Sequence, residues 1–90
     1  NNNEYDSLYK FFKEKKILIT GHTGFKGSWL TQILINFEAD VIGYSLEPNT
    51  NPNLFDTLNL GERIKNYFED IRDYNKLKEI IEKEKPEIVF

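Results

Sequence analysis

Three glycines, with two residues between each and the next, stand between a short strand-like run and a helical pattern: Thr20-Gly21-x-x-Gly24-x-x-Gly27. Ile17-Leu18-Ile19-Thr20 before them is rich in β-branched residues, as buried parallel strands are. After them, Trp29, Leu30, Ile33, Leu34 and Phe37 recur at the spacing of one apolar helical stripe, with the helix expected from Ser28. Each glycine has a mechanical reading. Gly21 lets the chain turn sharply out of the strand, Gly24 removes the side chain where a pyrophosphate must reach backbone, and Gly27 lets the helix sit close to the strand. The amides of Phe25 and Lys26 then face an anion from a helix N-terminus, where the helix dipole also favours negative charge. The setting predicts a dinucleotide site; a glycine turn that binds nothing is the alternative. A mononucleotide P-loop is disfavoured, because Lys26 precedes Gly27 rather than following it.

The rest of the chain repeats strand and helix. A first helix is expected through Leu8, Tyr9, Phe11 and Phe12, capped by Asp6 and Ser7. Val41-Ile42-Gly43-Tyr44 reads as a second strand, residues 47–53 as a loop, and Leu54, Phe55, Leu58 and Leu60 as a short irregular helix. A weaker third strand covers 64–68, and Asp73 caps a helix buried along Leu77, Ile80 and Ile81. Lys85-Pro86 stops that helix before a fourth strand at residues 87–90. This alternation predicts an α/β fold: a partial Rossmann-like, doubly wound parallel sheet of about four strands in the order 3-2-1-4, with flanking helices. Residues 1–15 form an N-terminal helical extension, and 16–90 the N-terminal part of the nucleotide-binding domain. Ile88-Val89-Phe90 has no cap or polar exit, so a piece of a larger protein is expected, self-associating as a homo-oligomer through an open strand edge or through uncovered apolar faces.

Composition removes several other readings. There is no cysteine and one histidine, so thiolate metal sites, cysteine nucleophiles and multi-histidine zinc sites drop out and no metal is expected. Twelve basic against fifteen acidic residues give a net charge of -3, which offers no general attraction for nucleic acid. Apolar runs reach only three residues, so no membrane partner is expected, and a cytoplasmic location follows.

The adenosine end of a dinucleotide should meet the ends of the second and third strands. Ser45 occupies the position where an acidic residue often grips the ribose, with Glu47 two residues on. No lysine or arginine follows before Arg63, which favours NAD over NADP. Asp70, with Ile71 supporting the ring, is placed to accept from the adenine amino group; Asp70 as a plain helix cap is the bland alternative. His22 and Lys26 flank the turn, either as ordinary surface side chains or as added positive potential. A cationic His22 would strengthen cofactor binding as pH falls through the histidine range.

At these residues the chain resembles a known family. Thr20-Gly-His-Thr-Gly-Phe-Lys-Gly-Ser-Trp-Leu30, Gly43-Tyr-Ser-Leu-Glu-Pro48, Asn51-Pro-Asn-Leu-Phe55, Asp70-Ile-Arg-Asp73 and Lys85-Pro-Glu-Ile-Val-Phe90 resemble the CDP-glucose 4,6-dehydratases of the extended short-chain dehydrogenase/reductase family. The resemblance implies NAD as cofactor and a sugar-nucleotide substrate in the complete enzyme. It also implies an internal redox cycle: hydride leaves sugar C4, water is lost across C5 and C6, and the hydride returns to C6. The product, CDP-4-keto-6-deoxyglucose, feeds sugars of bacterial surface polysaccharide such as O-antigen. By resemblance Gly21, Thr23, Gly24, Phe25, Lys26 and Gly27 hold the pyrophosphate, Ser45 and its neighbours the ribose, and Asp70 with Ile71 the adenine. The family's catalytic Tyr-x-x-x-Lys pair has no counterpart in place. Tyr9–Lys13 fits the letters but precedes the first strand. No catalytic residue is therefore assigned, and these residues alone are expected to be inactive. Another sugar-nucleotide dehydratase or epimerase, and a non-catalytic dinucleotide-sensing module, are the alternatives.

Overall fold

Ile17, Leu18 and Ile19 are all fully buried, which a strand achieves only with neighbours on both edges and cover on both faces. The computed structural model describes residues 2–90, with side chains from Glu4 onward, and shows how this arises. Strand β1 (Lys16–Thr20) pairs in parallel with β2 (Asp40–Ser45) on one side and β4 (Ile88–Val89) on the other. Strand β3 (Lys65–Phe68) pairs in parallel with β2, giving the expected order β3-β2-β1-β4. The fold is α/β. Helices α1 (Asn2–Phe12), α2 (Phe25–Asn36), α3 (Leu54–Thr57) and α4 (Tyr74–Glu84) connect and flank the strands, with a 3-10 turn at Leu60–Glu62.

Alternation along the strands separates two cores. Ile17, Ile19 and Val41 pack with Leu34 of α2 and with Phe12, Leu30 and Ile88. Leu18, Ile42 and Tyr44 point to the other face, against Ile80, Leu77 and Tyr67. Each fully buried aliphatic side chain stabilises the fold by about 1.5–3 kcal/mol, so β1 is the strand whose loss would cost most.

Four sequence expectations need correction. Asp6 and Ser7 lie inside α1, which starts at Asn2, so they do not cap it. Helix α2 starts at Phe25 rather than Ser28, because Gly24 takes the cap position in an extended conformation without a side-chain cap bond. Its buried face is Ser28, Thr31 and Leu34, while Trp29 and Ile33 are 46% and 47% exposed. Small residues are buried there because α2 approaches the glycine turn too closely for large ones. Ser28 Oγ donates to the His22 carbonyl at 2.9 Å, and Thr31 Oγ1 to the Gly27 carbonyl at 2.7 Å. Helix α4 is capped by Asp73, whose side chain accepts from the Lys76 amide, as expected. Its buried face, however, runs through Ile80 to Glu84, and Ile81 is exposed.

Glu84 is only 4% exposed, and it is compensated from two strands. Lys16 Nζ of β1 lies 3.2 Å from Oε1 and Lys65 Nζ of β3 lies 2.8 Å from Oε2, while the Tyr67 hydroxyl donates to the same carboxylate. This carboxylate spans β2 from beneath and fastens the end of α4 to both neighbouring strands. Its bonds to Lys65 and Tyr67 lower its pKa from 4.5 to about 2. A depressed carboxylate pKa means that the stabilisation is complete above about pH 4.5 and is lost as pH falls toward 2. Glu84→Gln should therefore lower stability at neutral pH by about 1–3 kcal/mol. In thermal melts the gap between the two proteins should close as pH is brought down through that window.

Candidate functional site

Two adjoining hollows open at the carboxyl ends of β1, β2 and β3, the place where ligands of open α/β sheets bind. The larger is a cleft of about 540 Å³ lined by the turn residues Gly21, Thr23, Gly24 and Phe25, by Ser45 and Glu47, and by the loop from Leu46 to Leu54. The smaller, about 260 Å³, is lined by Thr20, Gly21, Tyr44, Ser45, Leu46, Asp70 and Ile71. Gly21, Ser45 and Leu46 belong to both. Eight of the eleven residues singled out in the sequence line one hollow or the other; His22, Lys26 and Gly27 line neither.

The glycines hold the turn together in different ways. Gly21 sits at φ +75°, a conformation costly for any side chain, and its amide donates to the Tyr44 carbonyl at 3.0 Å. A Cβ on Gly27 would stand 2.1 Å from the Gly21 carbonyl oxygen, so the helix rests backbone against backbone on the turn. Gly24 is different. A Cβ there meets only the Gly21 carbonyl oxygen, at an ordinary 3.6 Å, and the residue faces the cleft. Because Gly24 caps α2 without a side chain, no side-chain cap bond takes up the first-turn amides beside this cleft.

Thr23 joins the turn to the end of β2. Its hydroxyl donates to the Leu46 carbonyl at 2.9 Å, which uses its single proton. The 3.1 Å contact between Thr23 Oγ1 and Ser45 Oγ therefore has Ser45 as donor, leaving the Ser45 oxygen as an acceptor toward the hollows. Glu47 is exposed and is the one charged residue among those lining the larger cleft. Arg63, the first cation downstream of it, is engaged elsewhere, donating to Gln32 Oε1 at 2.7 Å and to the Leu58 carbonyl at 3.1 Å.

Asp70 and Ile71 line the smaller hollow, but the Asp70 carboxylate is already engaged. Arg72 donates to it from its backbone amide at 2.9 Å, from Nε at 3.0 and 3.1 Å, and from Nη2 at 2.6 Å. These bonds lower its pKa from 3.8 to about 2. The Asp70 carbonyl accepts a long 3.4 Å bond from the hydroxyl of Tyr44, a side chain buried in the sheet that sequence reasoning did not single out for the site.

His22 corrects the sequence reading most. It was expected at the surface, as a bystander or a cation near the anion. Instead it is fully buried, with its ring in a notch over Gly43 of β2, where a Cβ would lie 2.3 Å from the imidazole. Burial lowers its pKa below 6.5, so the ring is neutral and adds no positive potential at neutral pH. The signal that could have found it is Gly43, since a glycine inside a strand marks close approach of another group. Lys26 is exposed in the first turn of α2.

With four parallel strands in this order and a glycine turn closing the cleft at their carboxyl ends, the molecule is a doubly wound α/β protein of Rossmann-like architecture. Residues 18–90 match the GDP-mannose 4,6 dehydratase family, and the chain belongs to it. It is 46% identical over 80 residues to the CDP-glucose 4,6-dehydratase of Salmonella typhimurium. That match covers 89% of this chain and 22% of the Salmonella enzyme, so the chain spans about a fifth of its relative's length.

The different clearances at the two glycines predict different outcomes. Gly27→Ala forces α2 off the turn and should destabilise the fold by about 1–3 kcal/mol or more. Gly24→Ala should lower stability by no more than about 1 kcal/mol. Thermal melts of the two variants against the parent chain check both.

Proposed function

We propose that this chain is the NAD-binding portion of a CDP-glucose 4,6-dehydratase. The observation that carries the cofactor reading is the gathering of Gly21, Thr23, Gly24 and Phe25 with Ser45 and Glu47 around one cleft at the strand ends. Gly24 leaves clearance for an anion beside the uncapped first turn of α2, which suits a pyrophosphate. Ser45, with an oxygen free to accept, and Glu47, an exposed carboxylate, suit the hydroxyls of an adenosine ribose. A 2′-phosphate would meet the Glu47 charge with no cation among the cleft-lining residues, which is why NAD is preferred to NADP. Ile71 supplies an apolar surface for adenine. Asp70 accepts from the amino group only by sharing its carboxylate with Arg72.

The substrate reading rests on the likeness to the Salmonella dehydratase. In the complete enzyme, CDP-glucose would lose water across C5 and C6 to give CDP-4-keto-6-deoxyglucose, a lyase reaction serving bacterial surface polysaccharide. NAD, when bound, supplies a reversible hydride acceptor, so the reaction has no net oxidation. The part played here is to bind and orient that cofactor. The catalytic Tyr-x-x-x-Lys pair lies outside these residues, and the chain by itself is inactive. Among the described residues no helix is long and apolar enough to cross a membrane, and the proposed setting is the cytoplasm. A homo-oligomer is proposed as well.

Titration with NADH and NADPH, followed through Trp29, tests the cofactor reading. Trp29 lies one helical turn from the cleft residue Phe25, with ring centroids 6.4 Å apart. Saturable NADH binding tighter than NADPH binding is expected. Gly24→Val should abolish it, and Glu47→Gln should narrow the difference between the two cofactors. Equal responses to both cofactors that survive Gly24→Val would overturn the reading.

A further inference from the structure

His22 follows Gly21 in the turn but leaves the cleft and enters the interior. Its Nε2 lies 2.7 Å from Asn66 Oδ1. Asn66 is itself oriented, because its Nδ2 donates to the Gly61 carbonyl at 2.7 Å and to the Ile64 carbonyl at 3.4 Å. The oxygen facing His22 can only accept, so Nε2 carries the proton and Nδ1 holds a bare lone pair. Nδ1 is buried and has no hydrogen-bond partner.

Every group around the ring is neutral: Gly43 of β2, Asn66 and Phe68 of β3, and Phe55 of α3, while Ser28 of α2 bonds the His22 carbonyl. The ionisable residues of those elements are bonded elsewhere or exposed, and Tyr44 of β2 donates to the Asp70 carbonyl. Lys65 and Tyr67 meet Glu84 on the opposite face, and Asp56 accepts from Asn53. Glu62 accepts from Asn59, Arg63 reaches Gln32, and Lys26 and Asp40 are exposed.

We infer that His22 is a positioning residue: as a neutral Nε2–H imidazole seated over Gly43 and tied to Asn66, it fastens the glycine turn to β2 and β3, and a proton added at Nδ1 loosens the turn. The direction follows from the surroundings. The cation would bury a charge and a second N–H donor with no acceptor, which agrees with the lowering of its pKa by burial. Stability is therefore complete above 6.5 and falls as pH drops through the lowered value, opposite to the behaviour of a cation that attracts phosphate. The consequence for cofactor capture rests on the dinucleotide reading above; the fastening itself does not.

His22 is the chain's single histidine, so its ring nitrogens can be followed without ambiguity in the whole 15N-labelled chain. NMR should show an unprotonated Nδ1 at neutral pH and a titration midpoint below 6.5. Amide-exchange protection at Gly21 and Gly24 should fall as the ring titrates, and NADH affinity should weaken over the same range. His22→Gln, which keeps an amide donor for Asn66, should retain NADH affinity within about threefold and lose the pH dependence. His22→Phe, which fills the notch without a donor, should weaken it about tenfold. A Nδ1–H tautomer, a midpoint at or above 6.5, or protection unchanged through the titration would overturn the proposal. If NADH binds at no pH, the dinucleotide reading fails, and the exchange data still decide the role of His22.

Discussion

The start of α2 rests on the carbonyl of Gly21 with no room for a side chain between them. A Cβ on Gly27 would be 2.1 Å from that oxygen and 2.9 Å from the α-carbon of His22. This backbone contact fixes where the helix begins, and so where its first-turn amides lie relative to the ends of β1 and β2. It also explains why the helix turns Ser28 and Thr31 inward and leaves Trp29 and Ile33 outside. Close approach of two backbones selects small side chains at the contact, whatever the apolar spacing elsewhere along the helix.

The cleft and the interior are therefore built from the same few residues, used in opposite directions. Gly21, Thr23 and Gly24 line the cleft, while the residue between them, His22, points into the core. At the other end of the sheet the Glu84 carboxylate joins α4 to β1 and β3 through Lys16 and Lys65. The two ends use different physics. One is a buried, neutral seat that disfavours charge, and the other is an ionic fastening that retains its charge well into acid.

Much of this was legible in the amino-acid order. Strand order followed from the alternation of strand-like and helical runs, and the glycine turn was readable because each glycine meets a separate mechanical demand. The illegible parts share one cause. Glu84 lies one turn beyond Ile80, so its position on the buried face was available from spacing, but a carboxylate is not expected inside unless its partners are known. Lys16 and Lys65 are distant in sequence, and only the parallel register brings them under α4. Asp70 was singled out from its place after the third strand, but its engagement with Arg72 depends on a local turn that residue type does not specify. His22 was read as a surface group because polarity was weighed alone, without the cavity that Gly43 opens for it.

That cavity couples two positions that are 21 apart in the chain and that meet through steric contact of the imidazole with the bare α-carbon. Enlarging residue 43 while the imidazole is present drives a side chain into the ring, 2.3 Å away. Replacing the histidine by something smaller leaves a void, a milder fault. The order of change therefore matters: position 22 can drift first and position 43 follow, but the reverse route is closed. Sequence divergence at this turn is a one-way path, set by a missing Cβ in the neighbouring strand.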